Sequence, residues 1–220
     1  MPTFTTVGHA DVADTPAVPI TADVPEGSLL LVFFGDGFGN GETLTGVTDT
    51  QGNTYSVDFD GEGDVDGDGV VAVASSVIAH PLTDSDTVTP TFAGSVATGS
   101  ADTWIMSVTG GDYSSPAAGS GAAGVDDSSP CTVEYASQGG LLVGFAAFQG
   151  HLTVDSTHGW STVMDGGDDQ PGSIMTIAYQ KPSAGGVTFA PSGSDGYGAA
   201  AVVEYLEPEP NWIARSMAYR

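Results

Sequence analysis

Short apolar or alternating runs recur along the chain, each closed by Gly, Pro, Asn or Asp, at intervals of about ten residues. A period of two with turn residues at the joints is the pattern of half-buried strands. Strands are expected near residues 4–7, 18–24, 28–34, 44–49, 54–59, 70–78, 87–92, 103–109, 132–135, 141–148, 160–164, 173–179, 187–189 and 199–206. Almost no helix is left over. The run Thr103-Trp-Ile-Met-Ser-Val has helix propensity, but it is short and bounded by Asp102 and Gly110-Gly111.

The pattern repeats. Gly27-Ser-Leu-Leu-Leu-Val-Phe-Phe aligns with Gly139-Gly-Leu-Leu-Val-Gly-Phe-Ala, and Val70-Val-Ala-Val-Ala-Ser with Ile174-Met-Thr-Ile-Ala-Tyr. Thr87-Val-Thr-Pro-Thr-Phe-Ala-Gly-Ser then aligns with Gly186-Val-Thr-Phe-Ala-Pro-Ser-Gly-Ser, and the run ending Ile105-Met-Ser-Val with Ala201-Val-Val-Glu-Tyr. The offset falls from 112 to about 95 residues, as it would if strands were kept and loops shortened. Chance likeness among Val-rich strands is the alternative. The expectation is an all-β protein: an antiparallel β-sandwich, jelly-roll-like, with an internal pseudo-duplication over residues 20–112 and 131–207. Residues 1–207 are expected to form one domain around one core, with 208–220 as a carboxy-terminal arm. Residues 114–130, rich in Gly, Ala and Ser and without apolar periodicity, read as an exposed connecting loop.

Charge changes the picture. There are 28 Asp and Glu against 3 Lys and Arg, a formal net charge of -25, in a chain that is 40% hydrophobic and therefore no solvating tail. Such self-repulsion penalises a compact state in dilute buffer. At about 1 M salt the screening length falls to about 3 Å, which removes the conflict and points to a halophilic setting. Nucleic acid is a poor partner, because three basic residues cannot neutralise a run of phosphates. The amino-terminal residues have neither the basic nor the apolar region of a secretion signal, and no apolar run reaches the ~18 residues of a membrane span.

Gly52-Asn53, after Gln51, supplies residues suited to positive φ and predicts a tight hairpin turn between Val47-Thr48 and Tyr55-Val57. Together, Pro25-Glu-Gly-Ser-Leu-Leu-Leu-Val-Phe, Val47-Thr-Asp-Thr-Gln-Gly-Asn-Thr-Tyr55, Gly139-Gly-Leu-Leu-Val-Gly-Phe and His158-Gly-Trp160 resemble β-sandwich modules common in virion proteins of tailed viruses. Those modules carry a G-D-L-L-L strand, a V-T-D-S-x-G-N-x-Y hairpin and a G-W strand; here Ser28 stands in place of the usual Asp. The likeness spans most of residues 20–207 and implies a structural or adhesive role.

Candidate chemistry is sparse. Asp64-Val-Asp66-Gly-Asp68-Gly69 places carboxylates at positions 1, 3 and 5 of an EF-hand-like loop, which suits Ca²⁺ or Mg²⁺. Position 12 is Ser75 and the flanks read as strands, so a plain acidic turn is the alternative. Asp165-Gly-Gly-Asp168-Asp169 is a weaker version of the same pattern. Gly35-Asp-Gly-Phe-Gly-Asn-Gly41 lacks the spacing of a dinucleotide loop and reads as a loop tip. His9, His80, His151 and His158 are scattered, Cys131 has no internal partner, and no nucleophile elbow occurs, so an enzyme is not expected.

After Glu207-Pro-Glu-Pro210 the chain turns basic and aromatic, with Trp212, Arg215, Met217, Tyr219 and Arg220 as an expected interface set or, equally, a terminal element packed on its own domain. The combined expectation is a structural virion protein of a virus infecting halophilic archaea, a capsid decoration, turret or tail-associated subunit. It would be located in the virion, oligomeric, and in contact with other virion proteins. The alternative is an adhesin module that binds host surface glycans through Trp160, Tyr197 or other loop aromatics.

Overall fold

A computed structural model describes residues 2–11, 17–36, 42–62, 69–94, 101–111, 113, 115–116, 121–125, 131–135, 137, 139–148, 152–154, 160–165, 174–180, 187–191 and 198–207. These residues form seventeen β-strands, all paired antiparallel, and no helix. The first half holds β1 (Thr3–Asp11), β2 (Val18–Pro19), β3 (Leu29–Asp36), β4 (Thr43–Asp49), β5 (Ser56–Glu62), β6 (Val70–Val77), β7 (Thr87–Ala93) and β8 (Ala101–Thr109). The short β9 (Ser115–Pro116) leads into β10 (Gly121–Val125), β11 (Cys131–Val133), β12 (Leu141–Phe148), β13 (Leu152–Val154), β14 (Ser161–Asp165), β15 (Ile174–Gln180), β16 (Val187–Pro191) and β17 (Gly198–Leu206).

The first half makes one sheet in the order β1-β8-β3-β6-β5 and a second in the order β2-β7-β4. The other half makes β10-β17-β12-β15-β14, with β9 also on β17, and β11-β16-β13. Raising every label of the first pair of sheets by nine gives the second pair. Strand 1 pairs with 8, 2 with 7 and 3 with 6, the pairing of a long hairpin rolled on itself into a jelly roll. The fourth such pair is absent in the first half: β4 pairs with β7, whereas β5 joins the other sheet beside β6.

Register confirms the duplication residue by residue. Leu29 and Leu141 start equivalent strands 112 positions apart; Val70 and Ile174 are 104 apart; Val108 and Tyr205, opposite Leu29 and Leu141 respectively, are 97 apart. One bulge corresponds as well, with an extra residue at Asp58 in β5 and at Val163 in β14, whereas the bulges at Val7 in β1 and Thr45 in β4 have no counterpart among the described residues of the second half.

The four sheets stack as four layers with three cores. The large sheets face each other across Leu31, Phe33, Val73, Val143, Phe145 and Val203. Each large sheet also covers its own small sheet, over Leu30, Phe34, Val47 and Val88 in the first half and over Leu142, Phe148, Val187 and Phe189 in the second. The two halves therefore share one core and each encloses another. This explains the unbroken apolar runs of β3 and β12, in which every residue is buried, because strands covered on both faces have no polar side to present. At the centre Phe33 meets Phe145 with ring centroids 5.4 Å apart, and Phe59 meets the same ring at 6.2 Å, contacts worth about 0.5–1.5 kcal/mol each beyond their burial.

The two rolls stand in the same direction. A Cβ on Gly69, at the start of β6 with φ +98°, would lie 2.7 Å from the Cα of Gly198, at the start of β17. Strands that begin side by side run together, so β3 and β12, each antiparallel to one of them, also run together.

Two sequence expectations need correction. Residues 114–130, read as a loop, contain β9 and β10, both paired with β17. Gly121-Ala-Ala-Gly-Val125 has no apolar period because its place at a sheet edge is held by backbone hydrogen bonds to a strand 73 or more residues away. The expected hairpin at Gly52-Asn53 is not one, since the strands on either side belong to different sheets.

Candidate functional site

Residues 47–55 turn the chain from one sheet to the other, and their polar side chains hold that corner. Gly52 takes φ +79°, as a turn residue without a Cβ can. Asp49 accepts hydrogen bonds from the Gln51 N–H (2.9 Å), the Asn53 N–H (3.1 Å), the Asn53 Nδ2 (2.8 Å) and the Tyr55 hydroxyl (2.8 Å). Burial works to raise the Asp49 pKa, but the bonds from Asn53, Tyr55 and the Gly52 backbone win and hold it below 3.8. Burial and the neighbouring Asp49 push the Tyr55 hydroxyl far above its ordinary range.

Asn53 is the pin. It is 8% exposed; its Nδ2 donates to the His80 carbonyl (2.9 Å) as well as to Asp49, and its Oδ1 accepts from the N–H groups of Ala79 (2.9 Å) and His80 (2.8 Å). An amide side chain thereby replaces a missing strand partner for residues 79–80. Asp86 does the same on the other side of the turn. It accepts from the Thr50 hydroxyl (2.6 Å), the Gln51 Nε2 (2.8 Å), the Thr83 N–H (2.8 Å) and the Thr83 hydroxyl (3.0 Å), which lower its pKa to about 2.

A second polar contact ties the halves together. Tyr205, fully buried on β17, donates its hydroxyl to Asp58 at the β5 bulge (2.9 Å), and Ser56 donates to the other carboxylate oxygen (2.6 Å). Burial raises the Asp58 pKa, partly offset by the Ser56, Ser75 and Tyr205 hydroxyls. The equivalent pair on the other side of the pseudo-symmetry is Val163 and Val108. Glu204, 0% exposed, accepts from the Ser137 hydroxyl (2.8 Å) and the Gly140 N–H (2.6 Å) at the same end of the second roll. On the first large sheet, the His9 ring stacks on Trp104, centroids 3.8 Å apart and planes 25° apart, with its Nε2 3.5 Å from Asp102.

Sequence reasoning placed its candidate residues elsewhere. Asp64, Asp66 and Asp68, the residues named for Ca²⁺ or Mg²⁺, lie outside the described residues, as do Trp212, Arg215, Met217, Tyr219 and Arg220 of the arm. His151, His158, Asp168, Asp169 and Tyr197 do too. Among the described residues no three His, Cys, Asp or Glu side chains are placed to hold a metal ion, and no helix is long and apolar enough to cross a membrane. Trp160 was expected as an exposed platform; it is 5% exposed and packs in the core of the second roll, so it cannot meet a glycan. The corner network was legible as an Asp/Gln/Gly/Asn turn, but its partners Ala79, His80, Thr83 and Asp86 had no signal in sequence. No protein-family model, curated protein or solved structure matches the chain.

Proposed function

We propose that this protein is a structural subunit of a virion assembled in concentrated salt, a capsid decoration, turret or tail-associated protein of a virus infecting halophilic archaea. The observation that carries the reading is the rolled eight-strand order occurring twice in one chain of net charge -25. Jelly rolls build viral shells and lectins alike, so the fold narrows the role without naming it. The residues of the virion-module motif support the shell side, because Asp49, Asn53 and Tyr55 spend their polar groups on holding a corner rigid.

In this reading the protein resides in the virion, associates with other virion proteins and with copies of itself, and docks through the arm that bears Trp212, Arg215, Met217, Tyr219 and Arg220. Asp64, Asp66 and Asp68 would take a Ca²⁺ or Mg²⁺ ion between β5 and β6. Mass spectrometry of purified virions from a haloarchaeal host tests the proposal: the chain should be present in a copy number matching a capsid or tail symmetry. Its absence from intact particles, with the protein free in the lysate, would end the reading.

A further inference from the structure

We infer that the buried Tyr205–Asp58 contact decides what the shared face of each roll accepts: a first roll mates with a second roll and refuses another copy of itself. The centre of that face is apolar and alike in the two halves, with Leu29 and Phe33 of the first large sheet answered by Leu141 and Phe145 of the second. Such a face is open to self-association, because two first rolls from two chains can cover each other's apolar centres as one first and one second roll do. Selection has to come from the margins.

β17 lies against β5 and β6, β10 against β5, and β12 against β3 and β6. Since β12 is the equivalent of β3 and the rolls stand in the same direction, an axis along the strands, between β3 and β12, carries one large sheet onto the other. That axis makes two seams. At one, Tyr205 of β17 donates to Asp58 of β5 (2.9 Å); the equivalent positions at the other are Val108 of β8 and Val163 of β14, both packed in or against the same core. Polar meets polar at the first seam, and the second holds no polar group. In a stack of two first rolls about the same axis, β8 of the second copy takes the place of β17, and Val108 faces Asp58 at both seams. Ser56 and Ser75 stay with the carboxylate because they belong to its own roll, but the phenol donor is lost. In a stack of two second rolls Val163 faces Tyr205 twice, and a fully buried hydroxyl loses its acceptor. Like-with-like stacks therefore strand a polar group at every seam, which is specificity by penalising the alternative. A hydrogen bond to a charged group is worth a factor of about ten or more in such an equilibrium.

Refolding of the full chain tests the inference. Wild type, Tyr205→Phe and Ser56→Ala are refolded from urea into 3 M KCl at high protein concentration and then diluted, and the dimer that persists is measured by size-exclusion chromatography with light scattering. Rolls of two chains stacked on each other separate only by unfolding, whereas surface contacts reverse on dilution. Tyr205→Phe keeps the ring and removes the hydroxyl that tells the halves apart; Ser56→Ala removes a donor to the same carboxylate that is present in every stack. Persistent dimer should rise about tenfold or more in Tyr205→Phe and stay at the wild-type level in Ser56→Ala. Urea midpoints of the three proteins establish that each is folded and rank their stabilities. No rise in Tyr205→Phe overturns the inference. An equal rise in Ser56→Ala overturns it too, because the dimer then follows from lost stability rather than lost selectivity. The virion reading stands or falls separately, on the composition of particles.

Discussion

Replacing Asn53 by Ala removes four side-chain hydrogen bonds at once: two donated by Nδ2, to Asp49 and His80, and two accepted by Oδ1, from Ala79 and His80. A typical intramolecular hydrogen bond contributes about 0.5–1.5 kcal/mol net, so the upper limit is about 6 kcal/mol. Ala79 and His80 are exposed, and water can replace part of what they lose. The expected loss is therefore about 2–3 kcal/mol. For a chain of this size each kcal/mol moves the melting midpoint by about 2–4 °C, giving a fall of roughly 5–10 °C. The assay is thermal and urea unfolding in 3 M KCl, followed by tryptophan fluorescence and circular dichroism. Thr54→Ala, exposed and next in sequence, serves as the control and should change stability by less than about 0.5 kcal/mol. Asn53→Asp should cost more than Asn53→Ala at neutral pH, because it sets a second carboxylate against Asp49, and the excess should shrink as acid neutralises the pair. If Asn53→Ala matched Thr54→Ala, the corner would owe its shape to packing and the pinning argument would be wrong.

Four other outcomes follow from the same structure. The Asp86 pKa is lowered to about 2, so its stabilisation is complete above 3.8 and is lost as pH falls through the folded value; Asp86→Asn should be less stable at neutral pH and flatter between about pH 4 and 2, and an unchanged acid limb would contradict this. Asp58 has the opposite sign: its raised pKa favours the fold in acid and that contribution is lost as pH rises from 3.8 through the folded value, and Tyr205→Phe should cost about 1–2 kcal/mol and move this loss to higher pH in urea midpoints measured across pH 3–8. The hydroxyls of Ser76 and Thr103 are buried with no hydrogen-bond partner, so Ser76→Ala and Thr103→Val should be neutral or stabilising by up to about 1 kcal/mol, and a loss above that would reveal a bond the geometry lacks. Finally, circular dichroism should show the fold forming in molar KCl and failing in millimolar buffer free of divalent ions, given the net charge of -25; equal folding in both would refute the halophilic reading.

Much of the fold could be read along the chain because strands announce themselves locally. Turn residues and period-two runs located fourteen segments, and the repeat of Gly27-Ser-Leu-Leu-Leu in Gly139-Gly-Leu-Leu-Val carried the duplication, with the same 112-residue offset found in the sheets. The charge of -25 belongs to composition alone and needs no coordinates. What the chain could not disclose is which strands pair. Gly52 fits the turn it was read as, yet whether that turn closes a hairpin or carries the chain to another sheet depends on β6 and β7 competing for β5 and β4. Gly121-Ala-Ala-Gly-Val125 is a strand only because β17 offers it an edge, and Trp160 is buried only because Val187 and Phe189 arrive over it. Tyr205 and Asp58 stand 147 residues apart and meet through the stacking of two rolls. Local sequence governs φ, ψ and the alternation of side chains, whereas pairing, burial and polar partnership arise from groups brought together by folding, and those only the tertiary structure supplies.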